Sequence, residues 1–430
     1  MQKCTEAAYP GFSVVITTYN RLALLGRAID SALQQTVPCE VVVVDDCCDD
    51  GTAEYMQSRV AELHAAGDHR LIYHRNAVNS GHSESMNQGV TVASGEWIKP
   101  LDDDDYLAPD CLEEMQKAID TYNLQVRDNP THDRQSQVVI CSCRAAQVDP
   151  DQNEIGKTRV FGPGKVFCIP QVDIHFGMLL DQVPFGTPAQ VAYRRDAFIE
   201  SGGWDSYFDV NCDDIDSWIR IAELGDAIFL NQCLAYRTVW PGAYNQTFPY
   251  QTRLETNIKM KEKIYPLIHD KYRQHLPKFS EIEHYLGLHW AFVALKRANV
   301  VKAFQIATPA SLFSLSAWKL LIGGIATRQC QQFSIPLQST DDSQADYLSN
   351  QLQPDQSELS EQQVRYLREL EIYTLLHQGL RKVQNGKVQD GLKQILPFSF
   401  SLTGWKLLIS ILLSYDAEED FSIQKLVLIE

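Results

Sequence analysis

The first predicted strand is Phe12-Ser-Val-Val-Ile-Thr17, a nearly continuous apolar run of strand length. The apolar residues that follow, from Leu22 to Leu33, are spaced as one face of a helix, and residues 41–44 are a run of valines. Further runs at 71–74 and 97–101 continue this alternation, which is typical of a mostly parallel sheet with flanking helices. Because the runs are apolar on consecutive residues, we expect both faces of the sheet to be buried.

The α/β pattern continues to about residue 245. It predicts strands at 138–144, 190–194 and 227–230, and helices at 109–122, 196–203 and 213–224. The sequence therefore predicts a doubly wound, Rossmann-like α/β domain over residues 1–248.

Beyond this domain the pattern becomes helical. We expect a helical extension at 249–328, a polar linker at 329–363 and a helical C-terminal unit at 364–430. The segment Phe313-Ser-Leu-Ser-Ala-Trp-Lys-Leu-Leu-Ile322 returns as Phe400-Ser-Leu-Thr-Gly-Trp-Lys-Leu-Leu-Ile409, which indicates a duplicated unit. These basic amphipathic helices are expected to pack on the first domain or on each other, with peripheral contact to a membrane or a partner as the alternative.

Composition disfavours several classes of protein. The 430 residues include 38 Lys and Arg against 55 Asp and Glu, a formal net charge of −17, so repulsion opposes general binding to nucleic acid. The 11 cysteines are odd in number and irregularly spaced, which favours free thiols in a reducing compartment. The N-terminus lacks the apolar core of a signal peptide, and no apolar stretch reaches the ~20 residues of a spanning helix. We expect a cytoplasmic protein, with peripheral contact at the inner face of the membrane left open.

Polar residues follow three of the predicted strands. Thr17-Thr-Tyr-Asn-Arg21 follows the first strand, Asp45-Asp46 ends the second, and Asp102-Asp-Asp-Asp105 ends the fourth. Ligands of parallel sheets bind beyond the carboxyl ends of the strands, so the site is expected at this edge.

The four successive aspartates repel one another, and a divalent cation such as Mn²⁺ or Mg²⁺ would remove that repulsion. If the segment is extended, Asp102 and Asp104 face one side while Asp103 and Asp105 face the other. A G-x-x-x-x-G-K-[ST] loop and a G-x-G-x-x-G loop are both missing after the first strand, which counts against a P-loop NTPase or a dinucleotide oxidoreductase.

A second acidic cluster is Asp213-Asp-Ile-Asp216, at the start of a predicted helix. One of its carboxylates can cap the helix, and a carboxylate here can also act as a general base toward a substrate hydroxyl.

Taken in order, the motifs resemble those of family-2 glycosyltransferases with the GT-A fold, over about residues 11–245. The resemblance is carried by Ser13-Val-Val-Ile-Thr-Thr-Tyr-Asn-Arg21, Val41-Val-Val-Val-Asp-Asp-Cys-Cys-Asp-Asp-Gly-Thr52, Asn79-Ser-Gly81, Asn87-Gln-Gly89, Gly95-Glu-Trp-Ile-Lys-Pro-Leu-Asp-Asp-Asp-Asp-Tyr-Leu107, Arg194-Arg-Asp-Ala-Phe198, Gly202-Gly-Trp-Asp205 and Asp213-Asp-Ile-Asp-Ser-Trp-Ile-Arg220.

The resemblance also implies roles for individual residues. Thr17, Tyr19 and Arg21 would lie in the first nucleotide-binding loop, Asp45 at the base, Asp102 and Asp103 at the ribose and sugar, and Asp104 on the metal. Asp214 would be the catalytic base, with Asp213 as a close rival on the acceptor side, and Trp204 or Trp240 would offer a sugar-stacking face.

The implied activity is an inverting, metal-dependent transfer of a sugar from a nucleotide-sugar donor to a hydroxyl of a glycan, lipid-linked or protein acceptor, in cell-surface or exopolysaccharide synthesis. Two features depart from the family. Asp213-Asp214 stands where the family has Glu-Asp, and the histidine that often follows Tyr236-Arg237 is missing. His82 and His175 could replace that histidine, but a lone histidine is usually structural, so neither is included in the predicted site.

Two alternatives to this activity remain. One is a catalytically inactive nucleotide-sugar-binding or scaffold protein. The other is a sugar nucleotidyltransferase, which would need a basic, Gly-rich loop after the first strand. The Thr-Thr-Tyr-Asn-Arg segment contains no glycine.

Overall fold

The computed structural model describes residues 11–125, 137–183, 185–209, 212–240, 248–296, 299–326 and 334–337. The strands are β1 (Phe12–Thr18), β2 (Glu40–Asp45), β3 (Leu71–Arg75), β4 (Trp97–Asp102), β5 (Tyr106–Leu107), β6 (Val138–Val148), β7 (Glu154–Lys157), β8 (Val166–Ile169), β9 (Val191–Arg194), β10 (Asp226–Thr238) and β11 (Ile335–Pro336). The helices are α1 (Leu22–Leu33), α2 (Thr52–Ala65), α3 (His82–Val92), α4 (Cys111–Gln125), α5 (Gln171–Leu179), α6 (Arg195–Glu200), α7 (Asp213–Ile221), α8 (Tyr250–Ile264), α9 (Phe279–Lys296), α10 (Val300–Ile306), α11 (Pro309–Phe313) and α12 (Leu315–Ala326).

One sheet organises the molecule, in the order β11-β8-β10-β6-β9-β4-β1-β2-β3. Strands β4, β1, β2 and β3 are parallel to one another, as the alternating pattern predicts. Strand β9 is antiparallel to both β4 and β6, and β10 returns parallel to β6. The mostly parallel sheet with flanking helices confirms the expected fold class.

Both faces of β1, β2 and β4 are buried, as expected, whereas β3 at the edge of the sheet is only partly buried. Every residue of β1 is buried, and its side chains alternate between two apolar clusters. Val15 belongs to the cluster on one face, whereas Val14 and Ile16 belong to the cluster on the other. Helix α3 lies close to β1 at Gly89, where an added Cβ would come within 2.3 Å of Val15 Cγ1. This packing fixes the helix beside the carboxyl ends of the strands.

The helical extension packs on the sheet domain. Helix α8 contacts α5 and α7, and α9 contacts α8, α10, α11 and α12. Apolar residues of α8 and α9 such as Met260, Ile282 and Leu286 join the same cluster as Val15. The helical character expected for residues after 249 is therefore observed as far as residue 326.

The segment predicted as a polar linker contributes to the sheet where it is described. Ile335 and Pro336 pair antiparallel with β8 as an edge strand. The predicted C-terminal unit at 364–430, including the second copy of the repeated segment, lies outside the described residues. In the described part of the chain, no helix combines the length and the hydropathy that crossing a bilayer requires.

Candidate active site

A cavity of about 570 Å³ opens beyond the carboxyl ends of β1, β2 and β4. Its walls come from the loop after β1, the run of aspartates after β4, the N-terminus of α3 and the N-terminus of α7. The sequence motifs singled out above are thus brought together at the sheet edge where they were expected. Of the predicted site residues, those that line the cavity are Thr17, Tyr19, Arg21, Asp102, Asp103, Asp104, Asp213 and Asp214.

The run of aspartates forms a turn directly after β4. The backbone N–H of Asp105 donates to the carbonyl of Asp102 at 3.1 Å. As a result, one carboxylate oxygen from each of Asp102, Asp104 and Asp105 lies within 4.8 Å of the others. Asp103 points away from this cluster and accepts a hydrogen bond from Thr18 Oγ1 at 2.8 Å. The predicted alternation is therefore wrong for Asp105, because a turn does not keep the period of a strand.

Burial and mutual repulsion govern the charge of this cluster. Burial, and then the charge of Asp102, raise the pKa of Asp104. Burial, and then the charges of Asp104 and Asp102, raise the pKa of Asp105 well above its usual range. A set of hard oxygen ligands whose negative charges repel one another fits a divalent cation such as Mg²⁺ or Mn²⁺.

Asp103 is held beside the loop that follows β1. Arg21 Nη1 lies 3.1 Å from Asp103 Oδ1 and 3.4 Å from Asp104 Oδ2, so one guanidinium connects that loop to the aspartate turn. Burial raises the pKa of Asp103 to about 6, against the opposing charge of Arg21. Tyr19, in the same loop, is 50% exposed, which leaves its ring free to stack on a bound base or sugar.

Asp45 and Asp46 occupy different environments at the end of β2. Asp45 is fully buried and accepts hydrogen bonds from Tyr73 Oη at 2.6 Å and from the Cys48 N–H at 2.7 Å. Asp46 lines the cavity, where its carboxylate accepts from the Gly81 N–H at 2.9 Å. The position of Asp45 thus does not support the expected contact with a base, because successive side chains at the strand end turn to opposite sides.

The two candidate tryptophans also occupy different environments. Trp204 is 2% exposed and packs edge-to-face against His82 and Trp218, so its ring belongs to the core and not to the cavity wall. Trp240 donates from Nε1 to Asp104 Oδ2 at 3.2 Å, and the Arg21 guanidinium lies 6.0 Å from its ring centroid. The position of Trp204 therefore does not support sugar stacking.

Helix α7 places two acidic residues on the wall facing the aspartate turn. Burial, and then the charge of Asp213, raise the pKa of Asp214 to about 7. Asp213 is instead paired, because its Oδ2 lies 2.9 Å from His82 Nδ1. A carboxyl group with a pKa near neutrality can both accept and hold a proton at physiological pH.

His82 also lines the cavity, although sequence reasoning left it out of the predicted site. Its Nε2 lies 3.4 Å from Asp102 Oδ1, so one imidazole connects the aspartate turn to α7. Burial lowers the pKa of His82, but the hydrogen bonds and charges of Asp102 and Asp213 outweigh it and raise that pKa well above its usual value. The sequence offered one signal for His82: it follows Asn79-Ser-Gly81, at the start of a helix that lies beside the same edge of the sheet. His175, by contrast, is buried and contacts the carbonyl of Ile219 at 3.0 Å.

The N-terminus of α3 is held so that His82 faces the cavity. Gly81 has a φ of +91°, and an added Cβ there would come within 2.4 Å of Asp209 Oδ2. Asp209 accepts a hydrogen bond from the Ser83 N–H at 2.9 Å. A glycine is therefore required at position 81, both by the positive φ and by the close approach of Asp209.

Residues 13–202 match the family model described as Glycosyl transferase family 2. The chain is 37% identical over 118 residues to the succinoglycan biosynthesis protein ExoO of Rhizobium meliloti (strain 1021), which is 27% of this chain and 32% of ExoO. It is 36% identical over 116 residues to the GalNAc(5)-diNAcBac-PP-undecaprenol beta-1,3-glucosyltransferase of Campylobacter jejuni subsp. jejuni serotype O:2 (strain ATCC 700819 / NCTC 11168), which is 26% of this chain and 36% of that protein. The chain thus spans about a third of the length of these relatives.

Among solved structures, S. aureus TarS 1-349 in complex with UDP-GlcNAc is similar with a TM-score of 0.45 and 15% sequence identity, covering 96% of this chain and 93% of that one. The family match covers the loop after β1, the aspartate turn and His82, and it ends before α7. Residues 13–202 thus match glycosyl transferase family 2 in sequence, and they lie on the mostly parallel α/β sheet expected of the GT-A fold.

Proposed function

We propose that this chain is an inverting, metal-dependent glycosyltransferase that moves a sugar from a nucleotide-sugar donor to an acceptor hydroxyl. One observation carries the proposal. A cluster of carboxylates within 4.8 Å of one another lies on one wall of the cavity, and a carboxyl group with a pKa of about 7 lies on another. The carboxylate cluster suits a cation and a diphosphate, and the carboxyl group with the raised pKa suits a hydroxyl that must lose a proton.

Asp104 would hold the divalent cation, with Asp102 and Asp105 beside it. Bound there, a divalent cation would offset the negative charge that grows on the leaving diphosphate. Arg21 adds a fixed positive charge next to this position, because it is anchored on Asp103 and Asp104. Thr17, near the end of β1, and Tyr19, on the loop after it, complete the nucleotide side of the proposed site.

Asp214 is the proposed base. Its carboxylate takes the proton of the acceptor hydroxyl while the hydroxyl oxygen forms a bond to the anomeric carbon. The bond from that carbon to the phosphate oxygen breaks, and the nucleoside diphosphate leaves with the electron pair. Because attack and departure occur on opposite faces, the anomeric configuration inverts. Asp213 Oδ2 is engaged by His82 Nδ1 at 2.9 Å, which makes Asp213 the less accessible of the two carboxylates for an acceptor hydroxyl.

The acceptor is proposed as a glycan, a lipid-linked saccharide or a protein, in cell-surface or exopolysaccharide synthesis. ExoO is named for succinoglycan biosynthesis, and the Campylobacter relative is named for a polyprenyl-diphosphate acceptor. A cytoplasmic site of action is supported by the cysteines, since the nine that lie in the described residues are free thiols.

The substitution Asp214→Asn tests the assignment of the base. Removal of a general base lowers the rate by about 10²- to 10⁴-fold, so transfer should be lost while binding of the nucleotide sugar is retained. Asp213→Asn is the matched control and should keep much more of the activity. Turnover unchanged in Asp214→Asn, or a greater loss in Asp213→Asn, would remove Asp214 from the proposed mechanism.

A further inference from the structure

The helical extension exposes large apolar side chains that the proposed reaction does not use. Phe313 and Leu315, at the junction of α11 and α12, are each 86% exposed. Val301 and Phe304, one helical turn apart on α10, are also exposed. Isolated exposed apolar residues are ordinary, but this group occurs within a short segment of three consecutive helices, which is unusual for a surface that faces only water.

One side of each of the helices α10, α11 and α12 is packed against the rest of the protein. Helices α10, α11 and α12 all pack against α9. Ala303, Ile306, Ala317 and Leu321 are buried, and Trp318 packs edge-to-face against Phe292 of α9. The exposed Phe and Leu side chains are therefore additional to the packing that holds the helices in place.

The charge of this segment is opposite to that of the rest of the chain. Between Glu283 and Asp341 the sequence contains no acidic residue, although the whole chain carries a formal charge of −17. The same stretch contains Lys296, Arg297, Lys302, Lys319 and Arg328. One carboxylate from outside the stretch lies beside it, because Glu281 on α9 hydrogen-bonds Ser316. Basic and apolar side chains on a segment that itself contains no acidic residue complement an anionic lipid headgroup layer above an apolar acyl region.

The repeated segment contains the exposed residues as well as the buried ones. The second copy has Phe400 and Leu402 at the positions of Phe313 and Leu315, and Lys406 at the position of Lys319. The copies differ only where Thr403 and Gly404 replace Ser316 and Ala317. A requirement for internal packing alone would not account for apolar residues at positions that the first copy leaves exposed.

We propose that α10, α11 and α12 form a docking surface for an anionic lipid bilayer, with Phe304, Phe313 and Leu315 entering the interface and Lys302 and Lys319 contacting the headgroups. The chain lies on the bilayer through these helices and does not span it. The proposal is independent of the glycosyltransferase assignment, because vesicle binding requires neither a nucleotide sugar nor a metal.

Flotation of the full chain with vesicles tests the proposal. We expect binding to phosphatidylcholine vesicles that contain phosphatidylglycerol, little binding to pure phosphatidylcholine, and loss of binding as salt is raised. The double variant F313S/L315S should weaken binding by about tenfold or more, because two apolar side chains no longer enter the interface. The matched control L124S/I199S changes two exposed apolar residues on α4 and α6, and should bind as the unmodified chain does.

The charge component has its own test. The double variant K302Q/K319Q should lose about fivefold in affinity per lysine for phosphatidylglycerol vesicles, which corresponds to about 1 kcal/mol for each basic residue near an anionic surface. Lys157→Gln, on β7, is the control. Lys302 and Lys319 are exposed, so the melting temperature of K302Q/K319Q should match that of the unmodified chain.

Three outcomes would overturn the proposal. The first is absence of binding to anionic vesicles, and the second is binding that F313S/L315S and K302Q/K319Q leave unchanged. The third is a chain that ignores vesicles but forms a dimer, measured by light scattering, that F313S/L315S dissociates. In that case a second copy covers the surface. Sugar transfer by the chain without vesicles would not be affected by any of these results.

Discussion

Asp214→Asn should stabilise the fold at alkaline pH as well as abolish transfer. The pKa of Asp214 is about 7 in the folded chain, against about 3.9 for an unfolded aspartate. The folded state therefore holds this proton more tightly than the unfolded state does. Stability contributed by the protonated group is fully present below pH ~4 and is lost as pH rises through 7.

The magnitude follows from the size of the pKa shift. A difference of about 3 pKa units corresponds to about 4 kcal/mol, and partial exposure of Asp214 to solvent reduces that to about 2 kcal/mol. Asp214 lies in the first turn of α7, so loss of its charge also forfeits about 0.5 kcal/mol of interaction with the helix dipole. The net gain of about 1.5 kcal/mol predicts a melting temperature about 2 °C higher at pH 8, and nearly unchanged at pH 4.

Differential scanning calorimetry across this pH range is the assay. Asp216→Asn is the matched control two residues further along the same helix. Asp216 is fully buried and paired with Arg220 and Lys263, so its substitution should lower the melting temperature. A melting temperature of Asp214→Asn at or below that of the unmodified chain at pH 8 would refute the raised pKa of Asp214 in the folded chain.

Three further predictions concern the cavity. Transfer by the unmodified chain should rise with pH through about 7 as Asp214 loses its proton, and a rate that falls over this range would contradict its role as base. Asp104→Asn should abolish the thermal shift produced by Mn²⁺ or Mg²⁺, whereas an undiminished shift would place the cation elsewhere. His82→Gln leaves Asp102 and Asp213 without their shared cation, so calorimetry should show a loss of about 2 kcal/mol in unfolding free energy, and no loss would mean that the two contacts contribute nothing.

The sheet and the position of the site were predictable because they depend on short-range patterns. The apolar runs at β1, β2 and β4 identify strands that are buried on both faces, and the polar residues after them must then lie at one edge. Asp102, Asp104 and Asp214 reach the cavity for this reason. The repeated helical segment was visible as a repeat, but its exposed Phe and Leu side chains could be recognised only once α9 was in place.

The remaining details depended on contacts between residues distant in sequence. Asp105 joins the aspartate cluster because the chain turns after β4, and a period-two pattern carries no information about that turn. His82 lies 131 positions from Asp213 in the chain, so only the packing of α3 beside α7 could reveal the pair. A tryptophan such as Trp204 can stack on a sugar ring, but this side chain is buried in the core, which the sequence alone did not reveal.

The central claim is that this cavity binds a nucleotide sugar with a divalent cation and transfers the sugar. The most direct measurement is a thermal-shift and hydrolysis screen of nucleotide sugars, each with and without Mn²⁺ or Mg²⁺. The account predicts metal-dependent stabilisation by one nucleotide sugar and slow release of its nucleoside diphosphate, with both effects lost in Asp104→Asn. Stabilisation without turnover in the presence of candidate acceptors would indicate a binding protein. No response to any nucleotide sugar would contradict the assignment of the cavity itself.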